Sequence, residues 1–365
     1  MSEPFKNAFN ETVIQDMAKH FVRVQSDFDK DGFIAYATHD LESLELKERS
    51  SHITDALERF LPGDFQTAAN LMVTSLKTNS QPGIKGWPIM PMTDYIARPG
   101  QDDVVFSLDV LKAMTPLFSS EFAIRPFLHN HCEMTLKIIA PWVTDTDEHV
   151  RRLVSEGTRP RLPWGMRLAR FVEDPTPVIQ LLKELKDDPS EYVRRSVANN
   201  LNDIAKDHAD QVATLAHSWM QESTPERQRL IRHSLRTLIK SGHPGSLSAL
   251  GYGPPKIALN NFVVQTPTVQ VGNVVEFECE LTSTIKKGQP LIIDYAVHHV
   301  RQGGKMTAKV FKWKMLTLKG NTTLTASRKH SFKKITTRRY YPGRHRIEIL
   351  VNGKSLGYAD FTLTL

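Results

Sequence analysis

A 43-residue echo sets the tightest limit on what this chain can fold into: EHVRRLVSEG (148–157) lines up with EYVRRSVANN (191–200). Val150 and Val154 match Val193 and Val197, each pair one helical turn apart, and Arg151 and Arg152 match Arg194 and Arg195. A helical repeat of about 40–47 residues is the mark of HEAT-like arrays. One such unit cannot bury its apolar face alone, so units stack into a solenoid with a concave surface, here expected to be right-handed. If arginine pairs recur along that surface, an anionic polymer is its natural partner.

The charge balance points the same way. From residue 257 onward 17 Lys and Arg stand against 6 Asp and Glu, a net +11, whereas the residues before it carry 30 and 34, a net −4. Within 301–346 there are fourteen basic residues and no acid. That asymmetry suits nucleic acid or another polyanion. With 365 residues there is room for two or three domains, each with its own core. Cys132 and Cys279 lie far apart without a CxxC pair. This argues against a disulfide framework or zinc ribbon and suits a reducing cytoplasm. No apolar run approaches the roughly 18 residues of a membrane span. The start of the chain, with Glu3 and Lys6, is no secretory signal. A monomeric, cytoplasmic, nucleoid-associated protein without membrane contact is the expectation.

Residues 11–24 place Val13, Ile14, Met17, Phe21 and Val24 at helical spacing behind a capping Asn10. Further helices are predicted over 44–61, 66–76, 103–114, 119–128, 133–143 and 227–242, with starts at Ser119 and Ser190 and a stop at Gly242. Three prolines and two glycines in QPGIKGWPIMPM (81–92) predict a loop whose Trp87, Ile89 and Met90 make core contacts. After GYGPP (251–255) the pattern changes to alternating apolar and polar residues, with a type I′ hairpin signal at Val351-Asn352-Gly353-Lys354. About seven such runs predict an antiparallel sandwich of immunoglobulin type. No Cys–Trp–Cys pattern occurs, which excludes a disulfide-bonded antibody domain. The chain thus divides into a helical array over 1–255 and a β-sandwich over 256–365: multidomain, α then β.

The candidate site residues cluster around the echo. SEGTRPRLPW projects Arg159, Arg161 and Trp164 from the helix end at Gly157. Trp164 could pack on the next repeat with the arginines solvated; alternatively the arginines grip phosphates while the aromatic face meets a base or a cation. Arg195, Asn199 and Asp203 fall on one side of the second helix. Glu121, Glu156 and Asp203 could each be a cap or an ion-pair partner. Together beside a Trp–Arg cluster they could instead stabilise the positive charge that builds on a sugar when an N-glycosidic bond breaks. His129, His131, Cys132 and His149 give no standard zinc spacing, so no metal is expected. No Walker loop, GxGxxG or GxSxG is present, and no cofactor is expected. In KKITTRRYYPGRH (333–345) one tyrosine suits a sandwich corner, and the remaining hydroxyls and guanidiniums suit phosphate and minor-groove contact.

VRRLVSEGTRPRLPWG, SEYVRRSVANNLNDIAKDHAD and TTRRYYPGRH together resemble the AlkC family of bacterial 3-methyladenine DNA glycosylases, within the HEAT-like-repeat alkylpurine DNA glycosylase superfamily. The resemblance spans essentially the whole chain, including a C-terminal immunoglobulin-like domain. It implies a monofunctional enzyme of base excision repair. Such an enzyme removes cationic N3-alkylated bases from double-stranded DNA, chiefly 3-methyladenine and, as a second candidate, 3-methylcytosine, without fully flipping them. By the same resemblance Trp164 would face the lesion or its deoxyribose. Asp203 would be the leading catalytic carboxylate, with Glu121 and Glu156 near the lesion. Arg152, Arg159 and Arg194, with Arg161 and Arg195, would hold DNA. Thr336, Thr337, Arg338, Arg339, Tyr340 and His345 would clamp the duplex from the other side. The competing reading is a non-catalytic HEAT-repeat DNA-binding scaffold, since fold does not settle function; a protein–protein adaptor is weaker, given the basic stretch.

Overall fold

The computed structural model describes residues 4–336 and 339–365. It divides into two compact units, 1–207 and 208–365. Among the described residues the first unit is helical: α1 (Glu11–Val24), α2 (Lys30–Thr38), α3 (Leu46–Phe60), α4 (Phe65–Thr74), α5 (Ile89–Ala97), α6 (Val104–Met114), α7 (Ile124–Asn130), α8 (Cys132–Ile139), α9 (Glu148–Gly157), α10 (Ala169–Glu173), α11 (Thr176–Leu185) and α12 (Glu191–Ile204). Asn10 caps α1 by accepting from the Val13 amide at 3.0 Å, and Ile14, Met17 and Phe21 form its buried stripe. Two expectations shift. Helix α5 begins inside the Pro-rich stretch, because Pro91 occupies the first turn, where no intrahelical N–H is required. Helix α7 starts at Ile124 rather than at Ser119, whose hydroxyl instead donates to Glu121.

The echo is a structural repeat. Helices α9 and α12 pack together, burying Val150, Leu153 and Val154 against Val193, Val197 and Leu201. A buried polar seam fixes their register: the Ser155 and Ser196 hydroxyls lie 2.7 Å apart, and Asn200 Nδ2 donates to the Ser155 carbonyl at 2.8 Å. The first arginine of each pair does the same work in both copies. Arg151 donates to the carbonyls of Asp145 and Thr146, and Arg194 to those of Asp188 and Pro189, five and six residues back across the turn before its own helix. Arg151 also makes a two-pronged ion pair with Asp188.

The second unit opens with α13 (Ala209–Met220), α14 (Pro225–Ser234), α15 (Arg236–Ser241) and α16 (Pro244–Ala249). Gly242 stops α15 in the left-handed conformation. The strands are β1 (Ile257–Val264), β2 (Thr268–Gln270), β3 (Val274–Ser283), β4 (Gln289–Val300), β5 (Met306–Leu318), β6 (Thr323–Ser331), β7 (Gly343–Val351) and β8 (Lys354–Thr364). They form one sheet ordered β1-β3-β6 and another ordered β2-β8-β7-β4-β5. Pairing is antiparallel except for β2 beside β8, a short parallel contact that the alternation does not reveal. Phe277, Leu281, Ile293, Val297, Ile347, Phe332 and Phe361 are among the residues that fill the core. Asn352 and Gly353 turn the β7–β8 hairpin with φ of 45° and 75°, as a type I′ turn requires. Only hydrogen fits at Gly353, where a Cβ would come within 2.2 Å of the Gly242 Cα.

One buried acid weakens this unit. Asp294 on β4 is 5% exposed, its Oδ1 has no partner among the described residues, and burial raises its pKa to about 6. Because the folded pKa lies above the unfolded one, the native state holds the extra proton between about pH 4 and 6. Stability therefore falls as pH rises through that window, by about 2–3 kcal/mol. Asp294→Asn should raise the thermal midpoint at pH 7.5 and leave it unchanged at pH 4, read by calorimetry at both pH values; an equal shift at both would rule the titration out.

Candidate active site

The second arginine of the first repeat serves a different purpose from the first. Arg152, one residue beyond the turn-clamping Arg151, points into a cavity of about 590 Å³ walled by Glu121, Glu156, Arg159, Trp164 and Tyr192, with Trp87, Met90, Phe118 and Phe122 as its apolar side. Its guanidinium pairs with Glu121 at 2.8 Å and lies 4.6 Å from the centre of the Tyr192 ring. Glu156 also approaches it, at 3.7 Å. Tyr192 occupies the repeat position equivalent to His149, and the two rings meet edge to face.

From there an alternating chain of charge runs inward. Arg159 donates to Glu156 at 2.6 Å and to Asp203 at 2.8 Å, and Lys206 closes the chain on the other Asp203 oxygen at 2.9 Å. Ser196 donates to the second Glu156 oxygen at 2.6 Å. Burial works against the Arg152 and Arg159 cations, but the neighbouring carboxylates outweigh it and hold both pKa values above the ordinary one. Three acids thus balance three cations. Glu121 retains one oxygen, Oε1, that accepts no hydrogen bond from the described residues, its Oε2 being taken by Arg152 and Ser119. Asp203 is 2% exposed and sits behind Arg159 rather than on the cavity wall.

The loop that follows α9 is held by a buried cation. Arg125 on α7 is fully buried and donates to the Gly157 carbonyl at 2.7 Å and, through two nitrogens, to the Met166 carbonyl, so that it grips both ends of 157–166. Burial, and then repulsion from Arg159, lower its pKa to about 10, which leaves it charged at neutral pH. Between those clamps Trp164 adopts φ 64°, a left-handed conformation rare for a bulky residue, with its side chain 62% exposed. Lys47 donates to the Trp164 carbonyl. A strained backbone that presents an exposed indole to a charged cavity is the kind of outlier found at ligand sites.

The structure places the other expected residues as follows. Arg159 is 7% exposed with carboxylates on two sides, so it organises acids instead of facing phosphate. Arg194 is spent on clamping its own turn. Arg161 pairs with Asp207 at 2.8 Å, and Arg195 is exposed. In the second unit His345 is fully buried between Phe332 and Phe361, its Nε2 3.0 Å from the Tyr341 carbonyl, and it is not available to DNA. Tyr340 packs on Phe332 at the edge of the core. Thr336 and Arg339 are exposed; Thr337 and Arg338 lie outside the described residues. Among the described residues no group of three His, Cys, Asp or Glu is arranged to hold a metal, and no helix is long and apolar enough to cross a membrane. Sequence reasoning missed Arg125, Lys47, Tyr192, Ser196 and Lys206. The repeat offered a signal only for Tyr192, at the position of His149.

Residues 258–365 match the family model described as "Uncharacterised protein YhaZ, C-terminal Ig-like domain". The YhaZ protein of Bacillus subtilis is 34% identical over 358 residues, covering 98% of each chain. Among solved structures, the Pseudomonas fluorescens alkylpurine DNA glycosylase AlkC, bound to DNA containing an abasic site analog, superposes with a TM-score of 0.90 at 36% identity, covering 100% of each chain.

Proposed function

The chain belongs to the family of bacterial proteins that includes YhaZ and AlkC, and from that premise we propose that it is a monofunctional DNA glycosylase. It would hydrolyse the N-glycosidic bond of cationic N3-alkylated bases in duplex DNA, 3-methyladenine first and 3-methylcytosine second, without turning the base fully out of the stack. The observation that carries this reading is the charge-balanced network of Glu121, Glu156 and Asp203 with Arg152, Arg159 and Lys206, opening onto an aromatic cavity beside the strained Trp164. A base already cationic leaves with the bonding electron pair and departs neutral, so no strong general acid is needed. Positive charge then grows on the deoxyribose, where fixed carboxylates stabilise it. In this reading Asp203 supplies the leading negative charge and Glu156 the second. The Oε1 of Glu121 orients the water that bonds to the sugar carbon and accepts its proton. The products are free base and an abasic site.

Trp164 would lie against the lesion or its sugar, and the exposed Arg195 of the first unit, with Thr336, Arg339 and Tyr340 of the second, would contact the backbone. Each phosphate neutralised steepens the salt dependence of binding by about 0.9. Trp164→Ala should cut the single-turnover rate of abasic-site formation in methylated duplex by at least about tenfold. Stability should stay within about 1 kcal/mol, because an exposed side chain is lost from a strained backbone. A rate equal to that of the parent would remove Trp164 from the site. The pairing of every carboxylate with a cation also suits a non-catalytic DNA-binding scaffold. That reading predicts salt-sensitive duplex binding with no abasic sites formed by the parent chain at high protein.

A further inference from the structure

A second cleft, of about 480 Å³, opens between α1 and the strap that runs from Leu76 to Gly86. Helix α1 contributes Lys19 and Arg23, and the strap contributes Lys77 and Lys85; Asp16 is the one acid on its lining. Against a region whose net charge is negative, four cations at one cleft is a local reversal. The cleft is rigid. Arg23 donates to the Pro82 carbonyl at 2.6 Å and to Gln81 Oε1 at 3.3 Å. The strap closes on itself through Lys77 N to the Ile84 carbonyl at 3.0 Å and Ile84 N to the Ser75 carbonyl at 2.9 Å. A Cβ at Gly83 would lie 2.3 Å from the Leu76 carbonyl oxygen, so the strap's tight approach requires glycine there. Asp16 is drawn toward His20, at 3.6 Å. Lys19, Lys77 and Lys85 are exposed, and no carboxylate among the described residues lies within 4 Å of their ammonium groups.

The strap leads along the chain to the candidate active site. The strap ends where Gly86 donates to the Leu117 carbonyl, and the next residue, Trp87, lines the cavity that holds Glu121 and Arg152. Exposed ammonium groups gathered at one cleft, with no carboxylate on them, match the negative charge of a phosphodiester backbone. We propose that Lys19, Lys77 and Lys85 form a phosphate-binding track that holds the DNA strand running away from the lesion. The proposal rests on the duplex-DNA reading above.

The test uses the full chain and an unmodified duplex, with equilibrium affinity measured over a range of salt. Lys19→Ala/Lys77→Ala/Lys85→Ala should lower the slope of log affinity against log salt by about 0.9 for each phosphate that is no longer neutralised, about two to three phosphates in all. The control Lys30→Ala/Lys137→Ala/Lys183→Ala removes the same charge from exposed positions elsewhere and should leave the slope within about 0.5 of the parent value. An unchanged slope in the cleft variant, or an equal fall in the control, overturns the track. If the parent binds duplex and the cleft variant alone loses slope, the track stands even where no base is released, so its failure and that of the glycosylase reading are distinguishable.

Discussion

Asp203→Asn should release alkylated base at least about 100-fold more slowly than the parent chain, with duplex affinity changed by no more than about threefold. The argument is one of charge. Glu121, Glu156 and Asp203 balance Arg152, Arg159 and Lys206, and the two cations at Asp203 touch one oxygen each. Replacing one carboxylate by its amide removes one negative charge beside the cavity, where the charged Arg125 also acts on all three acids. There a transition state carrying positive charge on the sugar meets repulsion in place of attraction. Shape is conserved, and Arg159 keeps its bond to Glu156, so the fold and the exposed DNA-facing residues should survive. A variant that turns over within about fivefold of the parent would show that the Asp203 charge is structural. Single-turnover base release, set beside equilibrium binding of the same duplex, separates the two outcomes.

Arg125→Met should cost about 3 kcal/mol of stability and abolish base release at temperatures where the variant is still folded. Methionine fills much of the same volume but leaves the Gly157 and Met166 carbonyls without their buried donor. Both are the anchors of the loop that carries Trp164 in its left-handed conformation, so the loop should relax when they are released. Part of the cost is offset, because burying the guanidinium is itself unfavourable, as its lowered pKa shows. Arg125→Lys should recover little, since one ammonium cannot reproduce the fork that spans two carbonyls. Denaturant unfolding reads the stability and abasic-site formation reads the site. A methionine variant as stable and as active as the parent would mean that the loop holds itself.

How much of the molecule is legible in its sequence depends on whether a residue's role is set locally. The α1 stripe, the 148/191 repeat and the Asn352–Gly353 turn follow from periodicity and backbone conformation, and the structure reproduces all three. The division of labour within each arginine pair does not follow. Arg151 and Arg194 clamp turns, Arg152 enters the cavity and Arg195 stays exposed, so the second arginines differ between the two copies. Arg125 reads as an ordinary helix arginine until the fold brings Gly157 and Met166 to it. His345 is legible as a core residue: it shares the period-two phase of Ile347, Ile349 and Val351, which places it on the core face of β7. Ser119 and Glu121 resemble the start of a helix, but that carboxylate is taken by Arg152, 31 residues on, and the helix begins later.

The most direct measurement is chromatographic identification of whatever the full chain frees from duplex DNA treated with a methylating agent. This account predicts 3-methyladenine in the released fraction, formed by the parent chain and lost in Asp203→Asn. Intact bases at high protein, under conditions where the same duplex is bound in a salt-sensitive way, would contradict it and leave the acids as structural partners of the arginines.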